Sequence, residues 1–100
     1  MARFDVHGLR DGSGFVLDCQ SDLLRHLETR FVVPLMPQSH APAPLIDRLN
    51  PQFLLDGEPV VMMTQFASSL YRAALGPAIA SLSDQQFEIG RAVDILLGGV

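Results

Sequence analysis

The sequence predicts a mostly β domain completed by one C-terminal α-helix. Three observations carry that expectation. Two segments of alternating apolar and polar residues, Phe4–His7 and Phe15–Gln20, flank a glycine-rich stretch. Two apolar runs flank an Asp56-Gly57 pair. The last stretch carries helix-start signals, an apolar pattern at helical spacing and a Gly98-Gly99 stop.

Taken in order, Phe4 and Val6 share one face of the first segment and Asp5 and His7 the other, the period-two pattern of a half-buried strand. Gly8–Gly14, with three glycines, an aspartate and a serine, is a turn. In Phe15–Gln20 the residues Phe15, Leu17 and Cys19 face one way, and Asp18 and Gln20 the other. The two strands form a hairpin with a long loop. Asp22–Thr29 reads as either a short helical turn or a connecting loop. Arg30–Met36 is a strand interrupted by Pro34, which cannot donate to a ladder, so the strand lies at an edge or bends there. Pro34, Pro37, Pro42, Pro44 and Pro51 make the following segment a stiff connection, expected to pack through Leu45, Ile46 and Leu49.

Gln52–Leu55 and Val60–Thr64, joined by Asp56-Gly57-Glu58-Pro59, form a second hairpin. Ala67–Leu75 fits a short helix or an irregular segment stopped by Gly76-Pro77. Ser83 is placed as the N-cap of the final helix, with Gln86 closing a capping box and Leu82 and Phe87 forming a hydrophobic staple. Asp84 and Glu88 suit the first turn. The helix, about 14 residues or roughly 21 Å, is apolar on more than one face through Phe87, Ile89, Ala92, Val93, Ile95, Leu96 and Leu97. Such a helix must pack on its own domain and on something else. The architecture has at least five strands and one helix, with no internal repeat.

The 100 residues, 48% of them apolar and 18% charged, describe one small globular domain spanning 1–100. A net charge of -4 argues against a protein whose main task is gripping nucleic acid. The single cysteine, Cys19, allows neither an internal disulfide nor a cysteine-built zinc site. No apolar run approaches the roughly 20 residues that span a bilayer. The N-terminal residues lack a signal-peptide pattern, so the expectation is a soluble, cytoplasmic protein. A chain this short has marginal stability alone, and oligomerisation is a common remedy.

Residue types alone reveal no catalytic centre. His7, His26 and His40 have no metal-ligand spacing, so no metal site is expected. Ser21, Asp22 and His26 lie close in sequence, but turn capping by Ser21 or Asp22 explains the first two more simply than a triad. Cys19, alternating with Phe15 and Leu17, reads as a buried small hydrophobe. Gly8, Gly12 and Gly14 lack the spacing and following helix of a phosphate loop. Asp56 and Glu58 read as solvated turn residues, and Met62-Met63 as packing. No cofactor is expected.

Longer strings carry a resemblance. Asp18-Cys19-Gln20-Ser21-Asp22-Leu23-Leu24, Arg30-Phe31-Val32-Val33-Pro34-Leu35, Met62-Met63-Thr64 and the ending Leu82-Ser83, helix, Gly99-Val100 resemble the CcdB toxin family in order and spacing. The likeness runs from Asp18 to Val100; the first hairpin loop differs in length. It implies an SH3-like β-barrel with a small extra sheet and a C-terminal helix, assembled as a homodimer with the helices near the two-fold axis. Val93, Leu96 and Leu97 would supply the dimer interface. It also implies the toxin of a type II toxin–antitoxin system. Such a dimer enters the cleft of the DNA gyrase A subunits and traps the complex of gyrase with cleaved DNA, without being a catalyst. A CcdA-like antitoxin would neutralise it by folding a disordered segment onto the toxin, with apolar surface near the first hairpin as one docking place.

Carried onto this chain, the gyrase-binding residues are Ser21, Leu23, Leu24, Gly99 and Val100. Two positions depart from the family pattern. Gly98 stands where the family ending, typically Trp-Gly-Ile, has tryptophan, and Asp94 stands where asparagine is frequent. Losing an aromatic anchor at an interface centre costs about 2 kcal/mol or more. The alternative reading is therefore a protein of the same fold that dimerises and binds an antitoxin but no longer poisons gyrase. A ribonuclease like the MazF toxins of related fold would need a basic surface and an acid–base pair. The seven arginines, Arg3, Arg10, Arg25, Arg30, Arg48, Arg72 and Arg91, are scattered in sequence, and there is no lysine.

Overall fold

In the computed structural model, which describes residues 1–99, seven strands form one antiparallel sheet that curls into a half-barrel. The strands are β1 (Asp5–Leu9), β2 (Phe15–Asp18), β3 (Thr29–Pro37), β4 (Gln52–Leu55), β5 (Glu58–Met62), β6 (Ser68–Tyr71) and β7 (Leu75–Ser81). The helix α1 (Gln86–Leu96) follows them. The sheet order is β4-β5-β3-β2-β1-β7, with β6 pairing β3. Local turn chemistry fixes both hairpins. Val6 pairs with Leu17 in the first, and Leu55 pairs with Glu58 in the second. Asp56 and Gly57 have φ of 53° and 79°, the type I′ geometry whose twist matches the flanking strands.

β3 organises the sheet. It pairs with β2 through Val32–Leu35 on one side. On the other it pairs first with β6, through Thr29–Val32, and then with β5, through Leu35–Pro37. The proline strand is thus central, not at an edge. Pro34 falls at the handover between β6 and β5, where its carbonyl accepts the Met63 N–H at 2.9 Å. A strand residue's N–H and C=O point to the same side, so the missing donor faces the gap and forfeits no ladder bond.

Several expectations need correction. Ala67–Leu75 is not helical beyond one turn: it holds β6, a 3₁₀ turn at Arg72–Ala74 and the start of β7. Gly76-Pro77 does not end an element but lies within β7, an edge strand, which tolerates proline. The register of β1 on β7 shifts beside it, and a Cβ at Gly76 would sit 3.0 Å from the Gly8 oxygen. The final helical segment begins at Ser83 as a 3₁₀ turn, but Ser83 makes no side-chain cap; its N–H donates to Ser81 Oγ at 3.2 Å. The staple is also absent, because Leu82 is buried while Phe87 is 70% exposed.

The main core lies on the concave face. Val6, Leu17, Val33, Leu35 and Met62 from the sheet meet Ile89 and Ala92 of α1. Of the proline-rich connection, Leu49 is buried while Leu45 and Ile46 remain exposed. Its end is pinned by Asn50, whose Nδ2 donates to the Met62 oxygen at 3.0 Å. The opposite face is not left to water. Val16, Val32 and Leu75 form a second small cluster there with Leu9 and Leu70. Residues paired with these strands on that face are consequently buried too, among them His7 and Asp18. Asp18 meets Arg30 there. Both side chains are fully buried, and Asp18 Oδ2 accepts from Arg30 Nε at 3.0 Å and Nη2 at 2.7 Å. No helix among the described residues is long and apolar enough to cross a membrane.

Breaking such a pair from one side leaves an uncompensated buried charge. Asp18→Asn is expected to cost about 3–5 kcal/mol in denaturant unfolding, whereas Asp18→Leu combined with Arg30→Met recovers most of it. Cys19 gives a pH signature. Burial, with the Asp18 charge beside it, pushes its thiol from 9.0 up to about 12. The folded state then keeps a proton that the unfolded chain releases. Stability is expected to fall as pH rises past 9 and to level off near 12. Unfolding curves recorded across that range should show a weaker decline for Cys19→Ala.

Candidate functional site

The buried ion pair fixes the turn that follows β2. While Oδ2 of Asp18 faces Arg30, Oδ1 accepts the Gln20 N–H at 3.0 Å. The Gln20 side chain then bridges two segments. Its Oε1 accepts the Phe31 N–H at 2.9 Å, and its Nε2 donates to the Leu24 oxygen at 3.0 Å. Between these anchors Asp22–Leu24 winds into one 3₁₀ turn. Ser21 caps it, its Oγ accepting the Leu23 N–H at 3.2 Å. The outcome is an ordered turn that presents Leu23, 87% exposed, and Leu24 to solvent.

The N-terminal segment links this turn to the helix. The Arg3 N–H donates to Asp22 Oδ1 at 2.9 Å. Phe4 has φ of 75°, a conformation rare for a bulky residue. It is held by its N–H on the Asp18 oxygen and by the Leu82 N–H on its own carbonyl. Held strain of this kind clusters at functional sites. The Arg3 guanidinium lies 4.7 Å from the Phe4 ring centroid. Beyond it a cavity of about 630 Å³ is walled by Phe87, Gly90, Arg91 and Asp94 of α1. Gly90 leaves the wall open, with nothing within 4 Å of a Cβ built there. Arg91 stacks over the Phe87 ring at 5.5 Å, and its Nε is buried without a partner. The surface thus offers exposed apolar side chains, two guanidinium groups and the Asp94 carboxylate.

One turn past Asp94 the helix ends in a Schellman motif. The Gly98 N–H donates to the Ile95 oxygen at 3.4 Å and the Gly99 N–H to the Asp94 oxygen at 2.6 Å. Gly98 has φ of 99°, which a side chain would strain. A Cβ at Gly99 would lie 2.7 Å from the Asp94 oxygen. Glycine is therefore the residue this helix end requires at position 98.

Of the residues singled out in sequence, Ser21, Leu23 and Leu24 share the ordered turn, and Asp94, Gly98 and Gly99 share the helix end; Arg3 and Phe4 lie between. Val100 lies outside the described residues. Val93 packs against its own core, while Leu96 and Leu97 remain exposed on α1. Sequence reasoning missed Arg3, Phe4, Phe87 and Arg91. The i,i+4 spacing of Phe87 and Arg91 was the available signal. Among the described residues no cluster of three His, Cys, Asp or Glu side chains could hold a metal ion.

Comparison with known proteins follows the geometry. Residues 3–99 match the family described as CcdB protein. Among solved structures the chain is similar to the Mycobacterium tuberculosis toxin MazF-mt6, with 18% identity over 96% of this chain and 98% of that one and a TM-score of 0.76. It is also similar to an endoribonuclease in complex with its cognate antitoxin from a mycobacterial species, with 16% identity, coverage of 98% and 95%, and a TM-score of 0.74. At these identities the likeness is one of fold. No curated protein matches.

The helix end makes a direct prediction. Gly98→Ala should weaken the cap by about 1 kcal/mol. Gly99→Ala should weaken it further, because its Cβ displaces the Asp94 carbonyl. Amide hydrogen exchange at Leu97, Gly98 and Gly99 would read the fraying.

Proposed function

The chain belongs to the CcdB family of toxin–antitoxin toxins, and from that premise we propose that it poisons DNA gyrase by binding the A subunit. One observation carries the reading. The turn bearing Leu23 and Leu24, the Arg3–Phe4 segment and the outer face of α1 are linked by direct bonds and a shared cavity into one surface. The mechanism is recognition rather than turnover. Leu23 and Leu24 supply apolar contact area. Arg3 and Arg91, each lying over a ring of its own chain, supply cations, and Gly99 and Val100 add to the contact. With no tryptophan at Gly98, Phe87 supplies the aromatic surface, already stacked by Arg91.

The functional unit is a cytoplasmic homodimer built through α1. Leu96 and Leu97, with Leu97 72% exposed, are the apolar surface such an interface covers, and Val93 backs them from the core. A two-fold toxin facing a two-fold enzyme duplicates every contact. Trapping the covalent gyrase–DNA complex then needs binding alone. The CcdA-like antitoxin docks elsewhere, in a groove of about 740 Å³ lined by Phe15, Leu35, Leu55, Val60 and Ile79. This groove continues the apolar concave face beside the first hairpin, where a disordered segment can bury side chains as it folds.

A second reading has its own support. Gly98 and Asp94 replace the family's aromatic anchor and its frequent asparagine, which favours a toxin-fold protein that retains dimer and antitoxin but not gyrase. Expression in a bacterial host separates the two. Growth arrest with gyrase-linked DNA breaks is expected from the unaltered chain. Leu23→Asp and Phe87→Ala should each relieve it, a loss of about 2 kcal/mol per copy at an anchor. Leu54→Asp, on the exposed side of β4, should not. Soluble, folded protein that causes neither arrest nor breaks would overturn the gyrase reading and favour the second.

A further inference from the structure

A separate cavity of about 430 Å³ opens between β1, β7 and the turn at Arg72–Ala74. It shares no lining residue with the surface of Phe4, Phe87 and Asp94. Arg10 and Arg72, far apart in sequence, both line it. The Arg10 N–H donates to the Ala74 oxygen at 3.0 Å, and its Nε donates to the Ala73 oxygen at 3.1 Å. These bonds hold Arg10 against the turn that carries Arg72. Among the described residues neither guanidinium has a carboxylate partner. Asp5 is the one carboxylate in the described lining, and its Oδ2 accepts the Ala2 N–H at 3.1 Å.

His7 lines the same cavity and is only 2% exposed. Its Nδ1 lies 2.8 Å from the Gly76 oxygen. A carbonyl can only accept, so Nδ1 bears the hydrogen. In the neutral ring Nε2 is then a bare acceptor. That atom is buried and has no partner. Buried polar atoms are nearly always paired, and an orphan calls for an explanation. Two guanidinium groups and an orphan acceptor, carried by residues that line one cavity, complement a ligand that pairs an anion with a hydroxyl donor.

We propose that this cavity binds a ribonucleotide group. Phosphate oxygens lie on Arg10 and Arg72, whose planar forks suit them, and a ribose hydroxyl donates to His7 Nε2. A free nucleotide and the end of an RNA strand share this chemistry.

Titration calorimetry of the full chain tests it, with adenosine monophosphate, its 2′,3′-dideoxy analogue, inorganic phosphate and a short single-stranded RNA as probes. Adenosine monophosphate is expected to bind, and the dideoxy analogue and inorganic phosphate about tenfold or more weakly. Arg10→Ala and Arg72→Ala should each weaken nucleotide binding about tenfold while circular dichroism stays unchanged. Because His7 is buried, its role is read in the unaltered chain from the nitrogen resonance of Nε2, which should shift on binding. Tighter binding of the RNA than of the mononucleotide would identify a strand end as the ligand; the reverse would identify a free nucleotide. The proposal is overturned if no probe binds at millimolar concentration. It is also overturned if both arginine variants bind unchanged, or if the analogue without hydroxyls binds as tightly as the nucleotide.

Discussion

The buried pair of Asp18 and Arg30 is the constraint on which the rest of the structure depends. Two charges taken wholly out of water are tolerated only when their hydrogen bonds are spent well. Here Arg30 takes one carboxylate oxygen, and the other orients Gln20. Gln20 in turn holds the start of β3 and the end of the 21–24 turn. A charge pair on the far face of the sheet thereby positions apolar side chains on the surface. Arg30 Nη1 remains buried without a partner, so the pair orders this region more than it stabilises it.

The helix divides its surface among several tasks. Ile89 and Ala92 are committed to the core. Phe87, Arg91 and Asp94 line the cavity beside Phe4, and Leu96 and Leu97 remain exposed. Its final turn is closed by two glycines in a Schellman motif. The aromatic side chain that α1 exposes is Phe87, in its first turn, at the opposite end of the helix from the two glycines.

Much of the fold was legible because local chemistry decides it. The Asp56-Gly57 turn, the first hairpin and the capping of the turn by Ser21 follow from residue type at fixed spacing. What was not legible depends on long-range pairing. Ser68–Tyr71 is short and half polar, and only pairing with β3 makes it a strand. Without β6 and β7 over it, the second face of the sheet reads as wet, and His7 and Asp18 read as solvent-facing. The turn and the helix end could be marked from the resemblance. The bridge between them could not, because nothing in the sequence announces the positive φ of Phe4.

The central claim is that a turn held by the Asp18–Gln20–Arg30 network forms part of the surface that binds gyrase. Its most direct test is calorimetric binding of the intact chain to a gyrase A-subunit fragment, beside a Gln20→Ala variant that frees the turn without removing the ion pair. The account predicts binding by the unaltered chain and at least a tenfold loss, about 1.4 kcal/mol, in the folded variant. Absence of binding by the folded, unaltered chain, or equal affinity for both, would contradict it.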